Sequence, residues 1–90
     1  MKVHWTNRAL AHLLDIYEYI AQDSPVYAKH TIDQLTRRSE QLGQYPESGR
    51  MVPEYNAPDI REVIEGNYRL IYRILDEQIN VLAVIHTRRR

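Results

Sequence analysis

A basic series runs along the last third of this 90-residue chain: Arg61, Arg69, Arg73, His86, Arg88, Arg89 and Arg90. Guanidinium groups can hold an anion through paired hydrogen bonds. An imidazole can give or take a proton near neutral pH. What these groups do depends on whether the backbone gathers them. The formal net charge is zero, which argues against a general polyanion binder. Fields act over roughly a Debye length, however, so a local basic patch can bind phosphate on a neutral chain. The charge is uneven in this way, with acidic residues on the early helices and turns and only basic ones from His86 onward.

The frame that carries the series is the stretch 60–86, IREVIEGNYRLIYRILDEQINVLAVIH. It reads as a meander of three strands over 59–65, 68–75 and 80–86, because its runs are rich in β-branched and aromatic residues. Glu65-Gly66-Asn67 and Asp76-Glu77-Gln78 are the polar breaks between them. Side chains alternate along a strand, so Arg69 and Arg73 share a face with Ile71, opposite Leu70, Tyr72 and Ile74. On the first strand Arg61, Val63 and Glu65 lie opposite Ile60, Glu62 and Ile64. The last run is apolar on both faces, the pattern of a central strand. One packed face and one face where arginines gather are expected.

Upstream, Lys2 to Thr6 alternates weakly as a short strand, and Thr6 or Asn7 can cap a helix reaching about Gln22. Leu10, Leu13, Leu14, Tyr17, Ile20 and Ala21 form its apolar stripe. Ser24 caps a second helix with Pro25 in its first turn. That helix buries Ala28, Ile32, Leu35, Ser39 and Leu42 and stops at Gly43. The two make an antiparallel hairpin. Residues 44–58 are a loop punctuated by Pro46, Gly49 and Pro58, with Arg50 directly after the glycine. The order β-α-α-β-β-β implies an α+β domain, a small antiparallel sheet packed against an N-terminal helical hairpin.

Ninety residues bound the chain to one domain, 1–90, with a thin core that buries roughly 60–65% of the unfolded surface. There is no cysteine, hence no disulfide framework and no thiolate metal site. No apolar run approaches the roughly 18 residues of a membrane helix, and Met1 to Trp5 has no signal-peptide character. The expected location is the cytoplasm, with no membrane partner. No His/Asp/Glu spacing suggests a metal, and no cofactor is expected.

The ordered set of motifs resembles the RelE/ParE superfamily of toxins from bacterial type II toxin–antitoxin systems. The residues that carry it are the opening helix ending DIYEYIA, then Asp23-Ser24-Pro25, then Leu42, Tyr45-Pro46 and Gly49-Arg50. Ile60-Arg61-Glu62, Tyr68 to Arg73 and Val81 to His86 complete the set. The resemblance implies the same small twisted sheet with a helical hairpin. It also implies a cognate antitoxin that wraps the toxin in a hetero-oligomer. Two chemistries share the scaffold. ParE-like members inhibit DNA gyrase, and RelE-like members cut messenger RNA on the ribosome.

In the ribonuclease case His86 is the proton carrier. Arg61, Arg69 and Arg73 clamp the phosphate, and Glu47 or Glu54 is the second proton carrier. The lysine cluster of the RelE branch is absent, and His86 is followed by Thr87-Arg88-Arg89-Arg90 rather than an aromatic. The ending resembles the ParE branch, which makes gyrase inhibition the expected activity, with ribosomal mRNA cleavage as the alternative and an inactive, antitoxin-binding homologue as a third. A plain reading stands beside each residue. Arg69 and Arg73 can pair with Glu62, Glu65 or Asp59. His86 can be a hydrogen-bonded strand end, Arg50 can tie the loop to the sheet, and Tyr68 and Tyr72 can be core.

Overall fold

The computed structural model describes residues 1–88, so Arg89 and Arg90 of the basic tail lie outside the described residues. The chain runs β1 (Lys2–Trp5), α1 (Asn7–Ala21), α2 (Pro25–Gln44), a 3₁₀ turn (Pro46–Ser48), β2 (Arg50–Met51), β3 (Ile60–Glu65), β4 (Tyr68–Ile74) and β5 (Gln78–His86). The sheet order is β1-β5-β4-β3-β2. The meander and the helical hairpin are as the sequence implies, and β5 is the interior strand its two-sided apolar pattern requires.

The sheet is mixed rather than antiparallel throughout. β1 pairs with β5 in parallel, Val3 opposite Ile79 and Trp5 opposite Val81, while the other pairs are antiparallel. A parallel pair needs a long connection, here everything between β1 and β5. The loop also contributes β2, two residues that extend the sheet on β3.

Both helix starts follow the cap residues. Thr6 Oγ1 accepts the Ala9 N–H at 3.2 Å, and Ser24 Oγ accepts the Tyr27 N–H at 3.1 Å with Pro25 behind it. Thr6 also donates to the Val81 carbonyl at 2.8 Å, so one residue ends β1 and starts α1. Gly43 does not stop α2, which continues to Gln44. A Cβ at Gly43 would lie 2.5 Å from the Met1 carbonyl oxygen, and the Met1 ammonium donates to the Gly43 carbonyl at 2.6 Å. This glycine is there for close approach of β1 to α2.

The main core lies between helices and sheet, with Ala9, Leu35, Leu42, Val63, Leu70, Tyr72, Ile79, Val81 and Val84 buried in it. A β-bulge lets β5 serve both faces. Val81 pairs with Tyr72 and Ala83 with Ile71, so Leu82 is the extra residue. Val81 and Val84 therefore both reach the helices. The opposite face holds a smaller cluster in which Val52 is fully buried with Ile71 and Ala83. The segment after β2 thus crosses that face with Val52 buried beneath it and Pro53 to Asn56 exposed.

The stripe on α1 is wider than its contact. Ala9, Leu13 and Ile16 join the core, while Leu10, Leu14 and Tyr17 stay exposed, Leu14 at 57%.

Candidate functional site

The basic series separates into three places. Arg69 and Arg73 share the open face, as alternation along β4 requires. Arg61 pairs across to Tyr72 and so belongs to the opposite face. Its guanidinium donates to the Pro58 carbonyl at 3.0 Å and the Gly49 carbonyl at 2.9 Å, tying the loop down. His86 is at the far end of β5. The three arginines and the histidine do not converge on one point.

Arg69 is the most enclosed of them, 2% exposed, and Glu62 beside it is 1% exposed. Arg69 Nε donates to Glu62 Oε1 at 2.6 Å, and its Nη2 reaches the same oxygen. The other carboxylate oxygen, Oε2, takes Arg50 Nε at 2.7 Å and Nη2 at 2.7 Å. Glu62 is thus a buried carboxylate between two guanidiniums. A fourth member comes from the crossing segment: Glu54 Oε2 lies 3.4 Å from Arg69 Nη2. Two arginines and two glutamates balance. Arg73 Nε pairs with Asp59 Oδ2 at 2.8 Å near the surface. That hydrogen bond, then one from the backbone of Asp59 itself, holds the Asp59 carboxyl below its ordinary value. The plain ion-pair reading therefore describes Arg69 and Arg73, and the loop-tying one describes Arg50.

Tyr72 fixes the loop from the other side. Its hydroxyl donates to the Pro46 carbonyl at 2.6 Å and accepts the Gly49 N–H at 3.0 Å. A Cβ at Gly49 would lie 2.6 Å from both that hydroxyl and the Glu62 carbonyl oxygen. Burial pushes the Tyr72 phenol up.

His86 opens onto a cleft of about 610 Å³ between α1 and the end of β5. Its ring meets Tyr68 edge-on, centroids 5.4 Å apart, and its Nδ1 accepts the Arg88 N–H at 3.2 Å. His12 lines the same cleft with Asp15 and Tyr19. Its Nδ1 accepts the Val84 N–H at 3.2 Å. The reason is topological. β1 stops at Trp5 opposite Val81, so among the described residues no strand pairs with the outer edge of β5 beyond it, and a helix side chain supplies the acceptor. Nothing in the spacing of His12 and His86 announces this pairing. Glu47 sits in the 3₁₀ turn and does not line the His86 cleft. Among the described residues no group of three or more His, Asp or Glu could hold a metal ion, and no helix is long and apolar enough to cross a membrane.

A family model, the ParE toxin of type II toxin–antitoxin systems (parDE), matches residues 3–90. Toxin RelE2 of Caulobacter vibrioides is 34% identical over 89 residues, covering 98% of this chain and 97% of that protein. Among solved structures, a chain of the chromosomal ParDE system of P. aeruginosa superposes with a TM-score of 0.79 at 24% identity. The match covers 96% of this chain and 95% of that one. A chain of the RelBE2 toxin–antitoxin complex of Mycobacterium tuberculosis gives 0.69 at 24% identity, with 94% and 95% covered. At that identity the two structures speak for the fold. The family match and the Caulobacter relative speak for more: this chain belongs to the ParE toxins of type II toxin–antitoxin systems, within the RelE/ParE superfamily.

Proposed function

We propose that this toxin arrests growth by binding DNA gyrase rather than by cutting messenger RNA, and that a cognate antitoxin neutralises it in a hetero-oligomer. The observation that carries the reading is the state of Arg69. A phosphate clamp needs cations whose N–H groups point at the place where charge develops. Here Arg69 is buried against Glu62, Arg73 is matched by Asp59, and Arg61 points to the other face and is spent on loop carbonyls. A surface matched in this way suits contact with a protein. The exposed apolar ridge Leu10, Leu14 and Tyr17 on α1 supports an antitoxin partner. So do the fold neighbours, which come from toxin–antitoxin systems.

The test is a supercoiling assay with purified gyrase and purified chain. Loss of supercoiling that persists in His86→Ala supports the reading. Full gyrase activity at saturating toxin contradicts it.

One observation favours a second reading, ribosome-dependent cleavage of mRNA. His12 and His86 share a cleft, with both Nδ1 atoms held by backbone N–H groups. Two imidazoles could then act as acid and base. In that case His86→Ala abolishes toxicity with folding intact.

A further inference from the structure

On the open face of the sheet the arginines are matched. Arg50, Arg69 and Arg73 each face a carboxylate. Arg61, on the helix side of β3, faces none. Its Nε and Nη1 donate to the Pro58 and Gly49 carbonyls, which are neutral, so its charge stays unbalanced. Arg38 on α2 is in the same state. Its Nη1 donates to Gln41 Oε1 at 3.1 Å, again a neutral acceptor. Among the described residues no carboxylate lies within ion-pair distance of either arginine. Lys2, Arg8, Arg37 and Arg88 also lack one, but they are exposed and water solvates them, whereas Arg38 and Arg61 are half-buried.

The two arginines meet at the loop anchor. α2 packs against both the 3₁₀ turn and β3, which brings Arg38 toward the Tyr72 hydroxyl that holds Gly49. Burial raises the Tyr72 phenol, the Gly49 N–H lowers it, and the positive charges of Arg61 and Arg38 both act to lower it further.

We infer that Arg38 and Arg61 form a docking point for an acidic segment of a partner protein, at the seam between α2 and the Gly49 loop. The inference rests on the reading of this toxin as one that acts through protein contacts. Two half-buried guanidiniums beside one phenol repel each other and hold no counter-charge. A carboxylate set against them relieves both penalties. The site is also prepared. Arg61 is fixed by two backbone carbonyls and Arg38 by Gln41, so little side-chain freedom is left to lose on binding. Among the described residues no acceptor takes Nη2 of either, and a guanidinium fork offers a carboxylate paired N–H groups. A nucleic-acid strand fits less well. Polyanion binding draws on a row of unmatched cations, and here there are two, with exposed Glu40 and Glu47 on the flanking helix and turn. Two suffice for a short acidic segment.

The test uses the isolated chain and contains neither gyrase nor ribosome, so its outcome is separate from that of the target assay. Arginine Nε resonances are followed by NMR while a capped Glu-Gly-Glu peptide is added at constant ionic strength, with capped Gln-Gly-Gln as the neutral control. The acidic peptide should move the Arg38 and Arg61 signals and leave those of Arg50 and Arg69 in place, and the neutral one should move none. Arg38→Gln tests the site without loosening the loop, because Arg38 bonds no loop atom. It should bind the acidic peptide about fivefold more weakly, the ratio one partly exposed charge pair supplies. Arg8→Gln, which removes an exposed arginine from α1, should bind it like the native chain. Equal affinity of the native chain and Arg38→Gln, or signals that move alike with both peptides, overturns the proposal. So does a response of the Arg38 and Arg61 signals to inorganic phosphate or a single-stranded oligonucleotide with none to the acidic peptide, which would assign the position to phosphate.

Discussion

Arg69 Nε lies 2.6 Å from Glu62 Oε1, and both side chains are shut off from solvent on the sheet face away from the helices. An ion pair in that position contributes little net stability over a well-packed apolar pair, but breaking it strands a charge. Glu62→Ala should therefore cost about 3–5 kcal/mol, since the buried Arg69 loses its nearest carboxylate. Urea unfolding measures it. A loss under about 1 kcal/mol would mean that water reaches Arg69 in solution.

The loop anchor at Tyr72 gives a second expectation. Tyr72→Phe removes the donor to Pro46 and the acceptor for the buried Gly49 N–H. The unpaired buried groups should cost about 1–3 kcal/mol. Gly49→Ala should destabilise by a similar route, because the new methyl meets the same hydroxyl and a strand carbonyl. Gly66→Ala meets no atom but must hold a φ of +59°, so its cost is limited to about 1–2 kcal/mol of backbone strain. Thermal unfolding of the three variants checks the ranking.

Acid should weaken the fold through two surface carboxylates. Asp59 is held low by the Arg73 hydrogen bond and Asp33 by the Lys29 hydrogen bond. A carboxyl whose folded value is depressed stabilises the native state fully above its ordinary value of 3.8 and loses that contribution as pH falls through the folded value. Asp59→Asn should therefore lower Tm at pH 7 and flatten its fall below about pH 4. The check is Tm against pH for both chains. A parallel offset at every pH contradicts the assignment.

Leu14 stands on the ridge that α1 leaves uncovered. Leu14→Glu should alter stability by no more than about 0.5 kcal/mol and should leave toxicity in place. Neutralisation by the co-expressed antitoxin should fail. Growth of cells carrying both genes reads this out, and full rescue of the variant would place the antitoxin elsewhere.

The fold was legible because local signals and tertiary structure agree: caps at Thr6 and Ser24, turns at 65–67 and 76–78, and alternation through β3 and β4. The misreadings share one cause, contacts with residues far away in sequence. Gly43 looked like a helix stop, but its role is set by Met1. Leu10, Leu14 and Tyr17 looked like core, because periodicity marks an apolar arc and not how much of it a small sheet can cover. Register along a strand says that Arg69 and Arg73 share a face. It cannot say which face Arg61 takes, since that depends on how β3 pairs with β4. The ion pairs of Arg69 and Arg73 were within reach of cross-strand reasoning. The role of Glu54 and the meeting of His12 with Val84 were not, because a loop path and a missing strand partner create them.

The most direct measurement is induction of the chain alone in a bacterial host, with DNA and protein synthesis followed by pulse labelling. Gyrase inhibition predicts that DNA synthesis falls first, with filamentation and an SOS response, and that His86→Ala behaves like the native chain. Early loss of protein synthesis with cleaved messages, abolished by His86→Ala, would contradict it.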